Sequence, residues 1–138
     1  MPALSPTEHD PLITVGNDTP PAVVAFFSDC PLGLQTYERV CSMLEPRGPF
    51  SVRVTDSQVT FRRRRGIAYL WCPDRWLSDP SADVVLSIAL PQAHRSVRFK
   101  QIAHPTPHVW MHHLEIVDET ALDAQVDEWL AEAWSAAR

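Results

Sequence analysis

The chain has 138 residues, 45% hydrophobic and 21% charged, enough for one domain that buries roughly two-thirds of its unfolded surface without disulfide support. Its net charge of −5 argues against a general nucleic-acid binder, though it leaves room for a local basic patch. Three widely spaced cysteines (Cys30, Cys41 and Cys72) form no CxxC pair and so offer neither a zinc ribbon nor a thioredoxin-like motif.

The odd cysteine count fits a reducing compartment. Met1 is followed by Pro2 and polar residues rather than a basic and then apolar stretch, and no apolar run reaches the length of a membrane span. The expected location is therefore the cytoplasm, with no membrane contact.

Residues 1–18, with Pro2, Pro6 and Pro11 and no sustained period, are expected to form a flexible arm with a short extended stretch at Leu12, Ile13 and Val15. The single domain is expected over residues 19–138. Thr19 followed by Pro20 and Pro21 starts a helix through residue 27, with Val23, Phe26 and Phe27 inward. A second helix starts at Ser28 or Asp29 with Pro31 in its first turn; Leu34, Tyr37, Cys41 and Leu44 recur on one face until Pro46, Gly48 and Pro49 end it.

The period then changes to two. Val52 and Val54 alternate with Arg53 and Thr55, and Val59 and Phe61 alternate with Gln58, Thr60 and Arg62, with Asp56-Ser57 between them at the length of a tight hairpin. Arg64, Arg65 and Gly66 make a second turn into a strand over residues 67–72, stopped by Pro73. After a loop with Trp76 and Pro80, residues 82–90 read as a strand and residues 108–117 as a last one; residues 95–107 are ambiguous between a brief strand and a draped loop. Thr120, with Asp123 three residues on, opens a helix whose apolar stripe is Leu122, Val126, Trp129, Leu130 and Ala133. The order predicts an α+β domain: an antiparallel sheet of about five strands flanked by two N-terminal helices and one C-terminal helix.

The run VRVTDSQVTFRRRRGIAYLW (52–71), with VVLSIALP (84–91), WMHHLEI (110–116) and the closing WLAEAW helix, resembles the DUF5655 family, a domain of unknown function. The likeness runs from about Phe26 to the C-terminus. It implies a domain found alone in small bacterial proteins and at the C-terminal end of larger proteins that look nuclease- or defence-related. It carries no established catalytic residues onto this chain.

Four consecutive arginines, Arg62 to Arg65, are the most conspicuous motif. Strand geometry divides them, with Arg62 and Arg64 facing one way, Arg63 the other and Arg65 in the turn; a solvated hairpin end outweighs an anion-binding patch of four. His104, His108, His112 and His113 come close in sequence to Glu115. On a strand, His113 shares a face with Glu115 while His112 faces the other way, so three convergent metal ligands are not expected and no metal or cofactor is assigned. Cys72 and Cys41 read as inert, buried thiols. No GxSxG, HExxH, P-loop or GxGxxG occurs, and four glycines leave little for a phosphate-cradling loop.

Placing Val52, Val54, Val59, Phe61, Ala68, Leu70, Val84, Leu86, Ile88, Leu114 and Ile116 on the core face sends Arg53, Thr60, Arg62, Tyr69, Trp71, Ser87, Met111, His113 and Glu115 to the other. Aromatic, small and titratable residues together are what a ligand-binding surface uses. These features favour a non-catalytic binding module for a small anionic molecule or partner, with Arg53, Arg62, Tyr69, Trp71 and Ser87 as ligand-binding residues. The alternative is a small cofactor-independent enzyme (isomerase, cyclase or lyase) in which His113 and Glu115 move protons and arginine stabilises developing charge. Exposed aromatics at Trp76 and Trp134 would allow a homodimer.

Overall fold

The computed structural model describes residues 19–73 and 82–138, together with the backbone of residues 12–13. Most of the expected arm (residues 1–11 and 14–18) and the loop with Trp76 and Pro80 lie outside the described residues. Within the arm, Leu12–Ile13 is a two-residue strand, β1. The helices α1 (Pro21–Phe26) and α2 (Pro31–Leu44) each begin on a proline, whose missing N–H would have no intrahelical partner there. They begin slightly later than the Thr19 and Ser28/Asp29 signals indicated, with Pro20 and Cys30 as the capping residues.

A 3₁₀ turn at Glu45–Arg47 leads into β2 (Phe50–Val54), β3 (Val59–Arg62) and β4 (Gly66–Trp71). Then follow β5 (Val84–Leu90), β6 (Phe99–Thr106), β7 (Val109–Ile116), a 3₁₀ turn at Glu119–Ala121 and α3 (Ala124–Ala136). The fold is α+β, as the sequence indicated, with two helices before the sheet and one after. The count of about five strands is corrected: β2–β7 are six strands of four or more residues, and β1 extends the sheet at one edge. The extra strand is β6, in the stretch left ambiguous. Its pairing with β7 shifts register twice and it contains Pro105, so its sequence shows no clean period.

Strand order is β1-β2-β3-β4-β5-β7-β6, antiparallel throughout. Only the last step departs from a meander: the connection after β5 passes one strand position, and β7 returns through the two-residue Pro107-His108 turn to lie beside β5. Lys100, Pro105 and the register shifts make the β6 edge a poor template for another strand. The helices cover one face. Tyr37 of α2 stacks on Phe61 of β3 (ring centroids 5.5 Å apart), and Trp129 of α3 meets Phe99 of β6 at 4.4 Å.

The α2 stripe differs from its prediction. Gly33, Thr36, Tyr37, Val40, Met43 and Leu44 are buried, while Leu34 and Cys41 are half-buried at its margin. The stripe turns because α2 must accept Phe27: a Cβ at position 33 would lie 2.2 Å from the Phe27 ring, so glycine there lets the α1–α2 corner close. Cys41 still touches the core, and burial pushes its thiol pKa up to about 12, which keeps it protonated and inert. At α3 the cap is Asp123, whose carboxylate accepts the Val126 N–H at 3.2 Å; the helix starts four residues after Thr120, which belongs to the preceding 3₁₀ turn.

The arginine run does not form one patch, but the division comes from the turn rather than from strand alternation, since β3 ends at Arg62; its inner part is structural. Arg63 donates from Nη1 to the Trp134 carbonyl at 2.8 Å and lies 4.4 Å over the Trp134 ring, while the backbone N–H groups of Arg64 and Arg65 both donate to the Ala137 carbonyl. The β3–β4 turn thus caps the C-terminus of α3, where a cation and N–H donors oppose the helix dipole. Trp134, expected to be exposed, is only 9% accessible because Arg63 and α2 enclose it.

These contacts predict unequal effects within the run. Arg63→Ala should cost about 1–2 kcal/mol in urea unfolding, from the lost cap and ring contact. Arg64→Ala and Arg65→Ala should stay within about 0.5 kcal/mol, since their backbone makes the bonds. Gly33→Ala should cost about 1–3 kcal/mol by displacing Phe27.

Candidate functional site

The second face of the sheet is built around β5, which is buried along its whole length. Its residues on that face, Val85, Ser87 and Ala89, are small, whereas β4 supplies Tyr69 and Trp71 on one side and β7 supplies Met111 and His113 on the other. Small side chains between two rows of large ones leave a trough. Its volume is about 320 Å³, and it is lined by Gln58, Tyr69, Trp71, Ser87, Met111 and His113. Gly66 helps to shape the wall: a Cβ there would lie 1.9 Å from the Tyr69 hydroxyl, so its absence gives the phenol room to lie back along β4.

Ser87 forms the floor. It is 2% accessible and the one polar residue of β5. The Trp71 indole N–H donates to Ser87 Oγ at 2.9 Å, and Ser87 Oγ lies 2.6 Å from His113 Nδ1. The Trp71 and His113 rings meet edge to face, with centroids 6.2 Å apart. Three strands therefore contribute one hydrogen-bonded chain, Trp71–Ser87–His113, across the middle of the sheet. Burial, and then the neighbouring His112, lower the His113 pKa from its ordinary value, so the imidazole is neutral at pH 7.

The strand registers align Arg53, Thr60, Tyr69, Ser87, His113 and Gln101 in one row across the sheet. Of the seven residues expected at a site, Tyr69, Trp71, Ser87 and His113 meet at the trough. Arg53 shares the row but lies two strands beyond Tyr69, about 10 Å at ordinary strand spacing. Arg62 turns its guanidinium to the Arg64 carbonyl at 3.2 Å. Glu115 occupies the next row with Trp71 and Val85, and the hydrogen-bond partner the fold gives His113 is Ser87. Gln58 follows the alternation of Thr60 and Arg62 but was not among the residues expected at the site; it lies one residue before β3, in the β2–β3 hairpin, where its carbonyl accepts the Thr55 N–H.

The other histidines are dispersed. His112 is fully buried on the helix face, donating from Nδ1 to the Trp110 carbonyl at 2.9 Å and accepting the His94 N–H at Nε2 at 2.9 Å. His94 in turn meets Glu132 of α3 at 2.9 Å, and His104 stacks on Trp110. Among the described residues no three His, Cys, Asp or Glu side chains converge as metal ligands. No described helix is long and apolar enough to cross a membrane.

A larger concavity, about 710 Å³, runs between α2 and α3. Its volume alone does not make it the better candidate: of its charged lining residues, Arg47, Asp123 and Asp127 are engaged within the fold, and Arg39 is exposed. Arg47 pairs with Asp127 at 3.2 Å, and Asp123 accepts from Arg98 as well as from the α3 backbone. The smaller trough offers rings and an imidazole nitrogen to a visitor.

Fold and trough together define an α+β domain with helices on one face of an antiparallel sheet and a concavity of small-molecule size on the other. The chain belongs to the family described as Domain of unknown function (DUF5655), which matches residues 25–137. No curated protein and no solved structure matches it.

Two histidines with lowered pKa make part of the fold's stability acid-sensitive. His112 and His113 titrate below the ordinary value near 6.5 that the unfolded chain shows, so the unfolded state binds more protons once the pH drops below about 6.5. Stability that is present above that pH should fall progressively toward the folded-state values. Urea midpoints measured between pH 7.5 and 5 should decline, and His113→Gln should show a shallower decline than wild type.

Proposed function

We propose that this domain is a non-catalytic binding module that takes a small, planar, uncharged molecule in the trough over β5. The observation that carries this reading is the lining. Two aromatic rings, a thioether, the Gln58 amide and a neutral imidazole line the space over the Ser87 floor, and no described arginine, lysine or carboxylate lines it. Flat rings stack favourably on such walls, and an unpaired charge placed there would lose hydration with no opposite charge to receive it. An anionic ligand, for which Arg53 and Arg62 were the expected partners, would need cations that lie off the trough.

The Ser87–His113 distance would also suit a nucleophile and its base. Two features weigh against that role: the Ser87 oxygen is buried on the floor, and it already accepts the Trp71 indole N–H. Binding without chemistry is the better account.

The test uses a small-molecule extract and native mass spectrometry of the full chain. A retained compound should be lost from Trp71→Ala, with at least a tenfold drop in affinity, while Arg53→Ala combined with Arg62→Ala leaves it bound and added salt has little effect. A compound released by salt and by the double arginine variant would instead support the anionic reading. Its conversion by wild type but not by His113→Ala would make the domain an enzyme.

A further inference from the structure

The trough dictates one feature of its occupant through the hydrogens of the Trp71–Ser87–His113 chain, given the binding reading above. An indole N–H is a donor only, so Ser87 Oγ must accept it. The serine hydroxyl then has one hydrogen of its own to place. Among the described residues, the acceptor within its reach is His113 Nδ1, 2.6 Å away. If Nδ1 carried the imidazole proton, Ser87 Oγ would accept from both rings and its own hydrogen would be buried without an acceptor. Such an orphaned group costs about 1–3 kcal/mol, enough to leave that tautomer a minor one. Every hydrogen is placed when the chain runs in one direction: the Trp71 N–H donates to Ser87, and the Ser87 O–H donates to His113 Nδ1. The proton of the neutral imidazole then resides on Nε2, on the side of the ring away from Ser87.

We infer that His113 is held as its Nε2–H tautomer by Ser87 and Trp71, and that the trough selects a planar, uncharged ligand with a hydrogen-bond acceptor (an amide-type carbonyl oxygen or a ring nitrogen) facing Nε2–H. A carbonyl or aza group on a flat ring combines the acceptor with the surface that Trp71, Tyr69 and Met111 would cover. Ser87 is thus a positioning residue, buried beneath the ligand and acting on it through the imidazole. A purely hydrocarbon ring would leave Nε2–H desolvated and unpaired, and a carboxylate would bring a charge that no described cation in the lining meets.

Two measurements test this. The first is a ¹⁵N-detected imidazole spectrum of the full chain at pH 7.5. It should show His113 with a protonated Nε2 and a bare Nδ1, and Ser87→Ala should shift the ring toward the mixed tautomers of free imidazole. A protonated Nδ1 in wild type overturns the inference. The second is titration with benzamide, toluene and benzoate, followed by the Trp71 indole and His113 resonances. Benzamide should bind at least tenfold more tightly than toluene and benzoate, and His113→Phe, which keeps a ring but removes the donor, should erase its advantage over toluene. If His113→Phe disturbs folding, loss of the same preference in Ser87→Ala serves instead. Toluene binding as tightly as benzamide sinks the acceptor requirement but leaves the binding reading standing. Tightest binding by benzoate overturns the uncharged class. No response at Trp71 to any of the three removes both this inference and the trough as a site.

Discussion

Strand β5 is buried on both faces, and much of the molecule follows from that. Six of its seven side chains are apolar, so its one hydroxyl, on Ser87, has to be satisfied inside the sheet. The flanking strands meet the requirement from both sides, β4 with the Trp71 N–H and β7 with His113 Nδ1. A register slip of one residue in either neighbour would remove a partner and turn an apolar side chain toward the trough, so the bonds also help to fix strand pairing. The same crowding of small residues on β5 and large ones beside it produces the concavity. Sheet stability and candidate site therefore share one cause.

The charged residues that stand out in the chain serve a different purpose: they secure α3 against the sheet. Arg63 and the backbone of the next two arginines close its C-terminal end. The connection between β5 and β6, which must pass over one strand position, is tied to the same helix at two points. His94 meets Glu132, and Arg98 reaches Asp123, Gln125 and the Ala121 carbonyl. Arg98 also lies over the Trp129 ring at 5.6 Å. A crossing loop without regular structure needs such fixed points, because loops have few backbone hydrogen bonds of their own. These contacts draw charge away from the open face and leave the trough with a neutral lining.

Periodicity made most of the architecture legible. Alternation along residues 52–61, 67–71, 84–90 and 110–116 assigned Tyr69, Trp71, Ser87, Met111 and His113 to one face, because a strand offers only two directions and the apolar set claims one of them. The helix stripes at Val23 and Phe26, and at Val126, Trp129, Leu130 and Ala133, followed for the same reason, while Phe27 and Leu122 are buried from just outside their helices. Where local pattern competed with tertiary contact, local pattern lost. The α2 stripe turned to admit Phe27 against Gly33, and Trp134 was enclosed by an arginine seventy-one positions away in sequence. Strand β6 stayed hidden because an irregular, largely exposed edge strand has no reason to alternate cleanly.

By itself the sequence determined which side chains share a face, since that depends only on the two-residue repeat of a strand and the 3.6-residue repeat of a helix. Tertiary structure decided which of them meet. Strand order put β7, rather than β6, beside β5, and register set Ser87 level with Tyr69 and His113. That placement gave His113 a serine partner in place of the glutamate two residues along its own strand, and left Arg53 and Arg62 outside the trough. Neither result can be read from spacing along one strand, because strand order and register are set by long-range pairing that buries β5 as a whole.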